Sequence, residues 1–378
     1  MRIAVLGGGP AGLYVAYLLK RRRPDWRISL YEQNPPDATF GFGVVFSDRA
    51  LEFLREDDPQ TYDLITPRME SWRDIGINHA GESIRIDGIG FSAIGRLELL
   101  QLLQSRLASV DIDARFNQPI ASIDDLGDAD LIIGADGANS LVRGSADFGT
   151  TISELDNRFA WFGTDRSFDC LTQTFVRTEV GTFNAHHYRY SPERSTFIVE
   201  ADPVTWQAYG FEHMSEEQSR ATCEQVFADV LQGSALITNR SIWRRFPRIS
   251  NERWAVGNRV LIGDALRTAH FSIGSGTRLA LEDAIALTQA LDEQPDNLTQ
   301  ALANYEARRR PVVDKLVAAA NRSADWYESF YRKMKLPPYE FAWSYISRSG
   351  RVDPERLRTL TPEFVAACQR RGVATETT

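Results

Sequence analysis

The 378-residue sequence has few cysteines and no grouping of them that would bind a metal or form a disulfide framework. Cys170, Cys223 and Cys368 are widely spaced and make no C-x-x-C pair, which argues against both kinds of site. No histidine pair has the further ligands at fixed spacing that a metal site requires. We therefore expect no metal ion, and a reducing cytoplasm fits this cysteine usage best.

Long apolar runs and clustered positive charge are also missing. No run approaches the roughly 20 apolar residues of a membrane helix, and glycines interrupt the N-terminal MRIAVLGGG after a few residues. The formal net charge is −8, whereas non-specific binding to nucleic acid depends on clustered positive charge. We expect neither a membrane nor a nucleic acid among the partners.

The sequence does contain a dinucleotide-binding pattern at its start. Residues 2–7, RIAVLG, form the apolar run of a buried parallel strand, and an apolar helix is predicted from Ala11 to Lys20. The G-x-G-x-x-G between them permits a tight turn, the approach of backbone to a pyrophosphate, and close helix packing. A second strand, Arg27 to Tyr31, leads to Glu32, which is placed to bind a ribose diol. This half-site predicts an ADP moiety and does not distinguish NAD from FAD.

Two later segments also follow an apolar strand with glycine and aspartate. GADGANSLVR, residues 134–143, follows a strand at 130–133. GDALRTAHFSIGSGTRLALEDA, residues 263–284, follows a strand at 259–262. Ligands of doubly wound sheets lie outside the carboxyl ends of the strands, so the three strand ends are expected to converge on one ligand.

In this order and at these separations, the three motifs resemble those of the single-component FAD-dependent aromatic hydroxylases, the group typified by para-hydroxybenzoate hydroxylase. The resemblance covers almost the whole chain. It implies an α/β fold, α+β overall, with a Rossmann-like FAD-binding domain, an inserted antiparallel-sheet substrate domain and a helical C-terminal region. The expected limits are 1–70, 93–157 and 250–320 for the FAD-binding domain, 71–92 and 158–249 for the substrate domain, and 321–378 for the C-terminal region.

The resemblance also implies which residues hold FAD. The first motif and Glu32 would bind the pyrophosphate and the adenosine ribose, Asp264 the ribitol chain, and the Gly-Ser-Gly loop would meet the flavin ring. The expected residues are Gly7, Gly9, Pro10, Ala11, Gly12, Glu32, Gln33, Arg96, Asp136, Gly137, Arg143, Gly263, Asp264, Gly274, Ser275, Gly276 and Thr277. No second complete G-x-G-x-x-G unit is evident, as expected in this family for NADH or NADPH that docks only transiently.

His270, Phe271 and Ser272 directly precede that loop and are the expected catalytic residues. For His270, a role as hydrogen-bond partner or base and a purely structural role are both open. The aromatic and β-branched runs between 158 and 249 predict an antiparallel sheet above the flavin. The substrate-binding residues expected on it are Trp161, Phe183, His186, Tyr188 and Phe197. His186 and His187 must face opposite sides of one strand, so at most one of them enters a pocket.

The third motif departs from the commonest pattern of the family, which has a proline pair and Gly-Gln-Gly where this chain has FSIGSG. With FGFGVVFSDRALEFL, AIGR, STFIVEAD, ADWYESF and SYISRSGRV, HFSIGSGT resembles the salicylyl-CoA 5-hydroxylase and 2-aminobenzoyl-CoA monooxygenase branch. It partly matches the tryptophan-derivative hydroxylase of violacein formation. The branch implies hydroxylation, by O2 through a flavin hydroperoxide, of an activated ring such as a hydroxybenzoyl-CoA or aminobenzoyl-CoA.

Several alternatives stay open at this stage. The substrate could be a free indole or another aromatic acid, or the protein could be a flavin-dependent reductase or a flavoprotein without turnover. A CoA thioester needs cations for its phosphates, and the C-terminal candidates could equally be plain surface charge. These candidates are Arg332, Lys333, Lys335, Arg348 and Arg351. The expected oligomeric state is a monomer or a homodimer.

Overall fold

The computed structural model describes residues 1–47, 51–350 and 353–375. Its strands are β1 (Arg2–Leu6), β2 (Arg27–Tyr31), β3 (Gly43–Ser47), β4 (Glu70–Trp72), β5 (Ile75–His79), β6 (Glu82–Ile86), β7 (Phe91–Gly95), β8 (Asp113–Arg115), β9 (Leu131–Gly134), β10 (Thr150–Thr164), β11 (Leu171–Arg177), β12 (Thr182–Ser191), β13 (Arg194–Ala201), β14 (Leu236–Ile237), β15 (Arg244–Asn251), β16 (Ala255–Val256) and β17 (Arg259–Leu261).

The α-helices alternate with these strands in the first half of the chain and dominate its last quarter. They are α1 (Pro10–Arg22), α2 (Glu52–Asp57), α3 (Pro59–Ile65), α4 (Arg96–Leu107), α5 (Leu141–Gly144), α6 (Pro203–Tyr209), α7 (Glu216–Val226), α8 (Ala228–Leu231), α9 (Gly276–Glu293), α10 (Leu298–Tyr327), α11 (Phe330–Lys333), α12 (Pro338–Ser347), α13 (Pro354–Leu360) and α14 (Pro362–Arg370). Short 3-10 turns at Gly263–Ala265 and Phe271–Ile273 interrupt the third motif.

A six-stranded sheet carries the three glycine-rich motifs. Its strand order is β16-β17-β9-β1-β2-β8, and all neighbours are parallel except β16 and β17. β1 is buried from Ile3 to Leu6, as a strand covered on both faces requires. Helices α1, α4, α9 and α10 pack together in the same core. The carboxyl ends of β1, β9 and β17 therefore meet at one edge, and a motif follows each of them.

A second, larger sheet is mainly antiparallel. Its strand order is β14-β10-β13-β12-β11-β5-β6, and β15 also pairs with β10. We call the face that carries His186 and Tyr188 the inner face, and the face that carries Phe183 and Phe197 the outer face. Helices α6, α7 and α8 cover the outer face, while the end of α10 and α12 cover the inner face. Each face thus has its own apolar core.

A three-stranded sheet, in the order β3-β7-β4, joins the two larger ones. β7 leads directly into α4, which places Arg96 at the start of that helix. The Tyr188 hydroxyl of β12 donates a hydrogen bond to the Gly43 carbonyl of β3 at 2.9 Å. The small sheet therefore contacts the inner face of the large sheet at Gly43.

Helix α10 connects the two cores. Ala301, Leu302 and Tyr305 in its first half pack in the core of the parallel sheet, and Trp326 and Tyr327 at its end pack against the inner face. Its 30 residues include a proline, Pro311. Within the described ranges, no helix combines the length and the apolar character needed to cross a membrane.

The predicted fold class is confirmed by the parallel sheet, the large antiparallel sheet and the C-terminal helices. The predicted domain limits stay a prediction. Continuous secondary-structure elements run across three of them. β10 crosses residue 157, β15 crosses residue 249 and α10 crosses residue 320. These continuous elements connect the predicted FAD-binding and substrate domains.

Candidate active site

The first motif forms a turn that leaves almost no room for side chains. Gly7 has φ +107°, and a Cβ there would lie 2.3 Å from the Ala135 carbonyl oxygen. A Cβ at Gly12 would lie 1.9 Å from the Gly7 carbonyl oxygen. A Cβ at Gly9 would meet no protein atom within 4 Å. Gly7 and Gly12 are thus required by packing, whereas Gly9 borders open space that a ligand can approach.

The start of α1 is suited to an anion. Pro10 occupies the first turn, and Ala11 follows it in the buried face of the helix. Gly9 caps the helix without a side chain that could accept from its first N–H groups. Those N–H groups and the positive end of the helix dipole are therefore available to a pyrophosphate.

Glu32 already organises the turn beside Gly8. One carboxylate oxygen accepts the Gly8 N–H at 2.6 Å, and the other accepts the backbone and side-chain N–H of Asn34 at 2.8 and 2.7 Å. An ionised carboxylate has about four acceptor positions, so one is left for a ribose hydroxyl. Gln33 is exposed beside it.

The charged side chains of the second motif form hydrogen bonds with other groups of the protein. The Asp136 carboxylate accepts the N–H groups of Leu141 and Val142 at 2.7 and 3.2 Å and the Ser140 hydroxyl at 2.5 Å. Burial raises the pKa of the Asp136 carboxyl. Gly137, in contrast, has φ +77°, and a Cβ there would meet nothing within 4 Å. The backbone at Gly137, rather than the Asp136 carboxylate, is open to a ligand.

The three motifs contact one another. Arg143 of the second motif donates to the carbonyl of Ala138 and, at 2.9 Å, to the carbonyl of Ala265 in the third. Gly263 of the third motif packs on Ala11 of the first, where an added Cβ would lie 3.2 Å from the Ala11 Cβ. The predicted convergence of the three strand ends is present, and Arg143 acts in it as a link between loops.

Buried charged side chains stabilise the Gly263 turn. The Gly263 N–H donates to Asp283 at 3.1 Å, and Asp283 also pairs with Arg267 at 2.6 Å and Arg309 at 3.0 Å. Asp283 lies on the buried face of α9. Arg309 is therefore buried in this network, although it lies within a run of three arginines.

Asp264 and Arg96 are two charged side chains at the cleft that have unused hydrogen-bonding capacity. The Asp264 side chain is open to the cleft; surrounding protein raises the pKa of its carboxyl, against the lowering effect of Arg267 and Arg96. The Arg96 Nε is buried and has no hydrogen-bond partner, and burial lowers the pKa of its guanidinium despite Asp264. An unpaired buried donor is costly, so Arg96 fits an anionic or carbonyl oxygen of a ligand.

The Gly-Ser-Gly loop brings α9 to the same cleft. Gly274 has φ +59° and packs against Val45, while a Cβ at Gly276 would meet nothing within 4 Å. The Ser275 hydroxyl donates back to the Ile273 carbonyl, and no side chain caps the helix. Free N–H groups at Gly276 and Thr277 therefore begin an 18-residue helix whose dipole favours negative charge.

The cleft as a whole fits FAD. Two uncapped helix starts, at Gly9 and Gly276, offer N–H groups to the pyrophosphate and to an electron-rich ring. Glu32 and Asp264 offer acceptors for ribose and ribitol hydroxyls, and the orphaned Arg96 Nε offers a donor.

The His270 side chain belongs to a hydrogen-bond network with other protein groups. Its Nδ1 lies 2.8 Å from the Ser272 hydroxyl, which in turn lies 2.8 Å from the Ser323 hydroxyl. Burial lowers the pKa of His270 to about 3, and Arg248 adds to this effect. The imidazole is therefore neutral at physiological pH, and its geometry favours a hydrogen-bonding or structural role over that of a base.

A small cavity, of about 50 Å³, opens between the Gly274 loop and the inner face. Partly exposed apolar side chains form its outer walls, namely Val45, Ile89, Phe91 and Ile346. The buried residues around its inner end are Leu171, His186, Ser272 and Tyr345, and the partly exposed Arg348 also lines it.

His186 is the unsatisfied polar group of this cavity. It is 3 % exposed, and neither ring nitrogen has a hydrogen-bond partner. Burial lowers its pKa to about 3, with a further contribution from Arg348. A neutral imidazole carries one donor and one acceptor nitrogen, so His186 can bind either a hydroxyl or an amino group.

The five residues predicted to bind substrate divide between the two faces of the sheet. His186, Tyr188 and Trp161 are on the inner face; Tyr188 is bonded to Gly43, and Trp161 packs against Gly41. Phe183 and Phe197 are on the outer face, where both pack against Phe227. Our prediction combined alternate positions of strands, whose side chains point in opposite directions. We therefore do not retain Phe183 and Phe197 as substrate-binding residues.

Arg348 was predicted to be either a CoA-binding cation or plain surface charge, and its contacts correct that view. Its guanidinium donates to the Ser323 hydroxyl at 2.9 Å, the Ser272 carbonyl at 2.9 Å and the Tyr345 carbonyl at 2.7 Å. It also lies 3.8 Å from the centre of the Tyr345 ring. No local pattern indicates this role. Arg351, the neighbouring candidate, lies outside the described residues.

Phe271 lies where the cleft and the inner face meet. Its ring centre is 5.1 Å from that of Phe159 and 6.4 Å from that of His186. Ser272 is buried, and its hydroxyl is committed to His270 and Ser323. Both residues therefore form the partition between the space for cofactor and the cavity.

Comparisons with known proteins agree with this geometry. The FAD binding domain family matches residues 114–320. Salicyloyl-CoA 5-hydroxylase of a Streptomyces species is 40% identical over 361 residues, covering 92% of this chain and 70% of that protein. A 3-hydroxy-4-methyl-anthranilyl-[aryl-carrier protein] 5-monooxygenase of Streptosporangium sibiricum is 38% identical over 362 residues, covering 95% and 97%.

A solved structure of 2-methyl-3-hydroxypyridine-5-carboxylic acid oxygenase has the same fold, with a TM-score of 0.72 at 20% identity, over 94% of this chain and 97% of that one. The predicted cofactor, FAD, and the predicted class, an aromatic monooxygenase, are confirmed by the family and the relatives. The chain belongs to the FAD-dependent aromatic hydroxylases, in the branch that contains salicyloyl-CoA 5-hydroxylase.

Proposed function

We propose that the enzyme hydroxylates a hydroxyl- or amino-substituted aromatic ring that enters as an acyl thioester, with O2 and NADH or NADPH as co-substrates. The observation that carries this proposal is the cavity beside the Gly274 loop, with the unpaired His186 at its inner end. Bound FAD, once reduced, supplies the activation of O2 from which one oxygen atom reaches the ring.

The cofactor contacts that we propose follow from the open positions of the cleft. The N–H groups after Gly9 bind the pyrophosphate, and Glu32 binds the adenosine ribose. Asp264 binds the ribitol chain, and Arg96 binds an oxygen of the cofactor. Asp136 and Arg143 position their loops from within, and Asp283 supports the Gly263 turn.

The residues around the cavity orient the ring and exclude water. The aromatic side chains of Phe271, Phe159 and Phe246 lie together, with ring centres 5.1 to 6.4 Å apart, and shield the space beside His186. Exclusion of water protects a reactive oxygen donor from side reactions. His186 holds the activating substituent of the ring, so that one ring carbon faces the cofactor.

Two observations support a thioester over a free acid. Three of the five N–H groups of the Arg348 guanidinium already donate to protein oxygens, which leaves fewer of them to bind the carboxylate of a free acid. The outer walls, at Ile89, Phe91 and Ile346, are apolar and half-exposed, which suits an uncharged acyl group with its chain leading outward. The names of both relatives, with their CoA and carrier-protein substrates, also support this class.

Substrate-stimulated turnover tests the proposal. Purified enzyme with bound FAD is mixed with NADH or NADPH and with 2-hydroxybenzoyl-CoA, 2-aminobenzoyl-CoA or the corresponding free acids. The expected result is faster NAD(P)H oxidation with thioesters, and one O2 consumed per hydroxylated product. Stimulation by free acids or indoles but not by thioesters would overturn the substrate class. Reduction of FAD without any ring product would overturn the hydroxylase proposal.

A further inference from the structure

The outer face of the large sheet carries a second and larger cavity. Helices α6, α7 and α8 pack on this face over β10, β12 and β13, whereas the cavity lies over β11, β5 and β6. Its volume is about 1150 Å³, compared with about 50 Å³ for the cavity beside the Gly274 loop. We call it the outer trough. The proposed reaction does not use it.

The floor of the outer trough is a row of hydrogen-bonded polar side chains. Ser83, Asn78 and Thr174 occupy facing positions on β6, β5 and β11. The Ser83 hydroxyl donates to the Asn78 side chain at 2.8 Å, and the Asn78 amide donates to the Thr174 hydroxyl at 2.9 Å. The Thr174 hydroxyl in turn lies 2.9 Å from Nε2 of His187. The row therefore runs from an exposed edge strand to a histidine that is only 1 % exposed.

This row determines which nitrogen of His187 carries the proton. The Thr174 hydroxyl already accepts from Asn78, and among the described residues its own O–H has no acceptor other than His187 Nε2. The hydroxyl therefore donates to Nε2. Burial lowers the pKa of His187 to about 3, and a neutral imidazole that accepts at Nε2 keeps its proton on Nδ1. Because Nδ1 has no hydrogen-bond partner, His187 presents an unpaired buried donor.

Arg166 contributes a second unpaired donor and a positive charge. It lines the outer trough, and its Nε is buried without a hydrogen-bond partner. Its charge helps to lower the pKa of His187. Arg85, on the floor of the trough, is paired with Asp74, whereas none of the described acids forms an ion pair with Arg166. An unpaired buried donor costs free energy until an acceptor reaches it.

The wall beside these donors is apolar. The Phe168 ring lies over His187, with ring centres 4.0 Å apart, and the side chains of Val226, Phe227 and Val230 also line the trough. The acids of the lining lie toward solvent, apart from the paired Asp74. They are Glu82, Asp169 and Asp229, all of them exposed. The buried end of the trough thus combines two free donors, one cation and an apolar wall.

We infer that the outer trough binds a small organic acid, whose carboxylate accepts from His187 Nδ1 and from Arg166 and whose apolar part lies against Phe168. An ionised carboxylate only accepts hydrogen bonds, and it pairs well with a guanidinium. An amine or another cation would leave both donors unpaired beside a like charge.

This site is separate from the one where the ring is hydroxylated. β11 and β12 carry Thr174 and His187 on their outer face, and Leu171 and His186, which line the substrate cavity, on the other. The inference therefore goes beyond the proposed function and does not depend on it. Without an organic acid present, Arg166→Gln should leave turnover of the substrate unchanged.

The experiment is calorimetric titration of benzoate into enzyme that carries FAD, without substrate or NAD(P)H. Saturable binding to the wild type is expected. Arg166→Gln removes the charge and should raise the Kd about tenfold, the order expected for a lost charge-assisted hydrogen bond. His187→Phe should raise it similarly, and His187→Gln, which keeps an N–H donor, should bind more tightly than His187→Phe. Arg332→Gln, on exposed α11, is the matched control and should not change the Kd.

A second pair of measurements shows where benzoate binds. His186→Phe, on the inner face, should leave the Kd unchanged, and bound benzoate should slow backbone hydrogen exchange in residues 166–170 rather than in residues 271–277. Loss of binding in His186→Phe but not in Arg166→Gln would place benzoate in the substrate cavity and overturn the inference.

Two further outcomes would also overturn it. One is the absence of saturable binding to the wild type. The other is equally tight binding of inorganic phosphate, which would show that the apolar wall has no part in recognition. If the His187 variants fail to fold, Arg166→Gln still decides the matter, because Arg166 lies in a loop and is partly exposed.

Discussion

The cofactor cleft and the substrate cavity share the Gly274 loop but are built in different ways. The cleft consists mostly of backbone at the ends of parallel strands, at Gly7, Gly137 and Gly263, with side chains such as Asp283 supporting it from inside. The cavity consists of side chains from distant parts of the chain, among them the buried His186 and the partly exposed Arg348. Substitutions at the closely packed glycines of the cleft should therefore affect cofactor binding and fold together, whereas substitutions in the cavity should affect chemistry alone.

The largest effect is expected at Gly12. In Gly12→Ala the new Cβ would lie 1.9 Å from the Gly7 carbonyl oxygen, so α1 has to move away from the turn. Overpacking of this kind costs about 1–3 kcal/mol, and we expect both loss of FAD and a lower free energy of unfolding. Flavin absorbance after desalting and urea denaturation measure the two effects.

Gly9→Ala is the matched control for that substitution. Gly9 has φ −75° and open space around its Cβ position, so the fold should be as stable as the wild type while FAD binding weakens. A Gly12→Ala protein with normal FAD content would contradict the packing argument. Equal destabilisation by both substitutions would contradict the distinction between them.

The contrast also explains what the sequence could predict. Each half of the cleft follows from a contiguous motif, because strand, glycine turn and helix lie within a few residues of one another. The cavity depends on Ser272 and Arg348, which are far apart in sequence and meet only through the packing of α10 and α12. The choice of Phe183 and Phe197 reflects a related difficulty, because aromatic content identifies the strands but does not tell which residues share a face with His186. Asp283 could have been found from the sequence, because an acidic residue on the apolar face of α9 indicates a buried charge with partners.

Adjacent histidines offer a sharper test of the cavity. His186→Phe removes the unpaired imidazole and should lower coupled hydroxylation by about tenfold, since a hydrogen bond worth about 1.4 kcal/mol corresponds to that factor. FAD content should not change. His187→Phe replaces the ring on the outer face, where His187 bonds Thr174 at 2.9 Å and stacks on Phe197, and should leave turnover unchanged. The readout is product formed per NAD(P)H oxidised, and similar losses in both variants would refute the assignment of faces.

Acid sensitivity should come from three buried histidines, two of which belong to the large sheet. Burial lowers the pKa of His186, His187 and His270 to about 3 from an ordinary value of 6.5. Between these values the unfolded chain binds more protons, so the free energy of unfolding falls as pH falls from about 6.5 toward 3. Each histidine contributes at most about 1.4 kcal/mol per pH unit. His187→Phe should reduce the slope by up to that amount in urea denaturation across this range, and an unchanged slope would show that His187 is protonated in the folded protein.

Small effects on both sites at once are expected at Gly274, where cleft and cavity meet. Its φ of +59° is a left-handed conformation, which costs other residues about 1–2 kcal/mol and asparagine less. An added Cβ would also lie 3.1 Å from a Val45 methyl group and 3.2 Å from the Val45 carbonyl oxygen. Gly274→Ala should therefore lower the free energy of unfolding by about 1–2 kcal/mol, and Gly274→Asn by less if only backbone strain matters. Because the loop borders both sites, either substitution should weaken FAD binding and coupling to a similar small degree. A loss of FAD without any loss of coupling would show that this loop belongs to the cleft alone, and the reverse would assign it to the cavity.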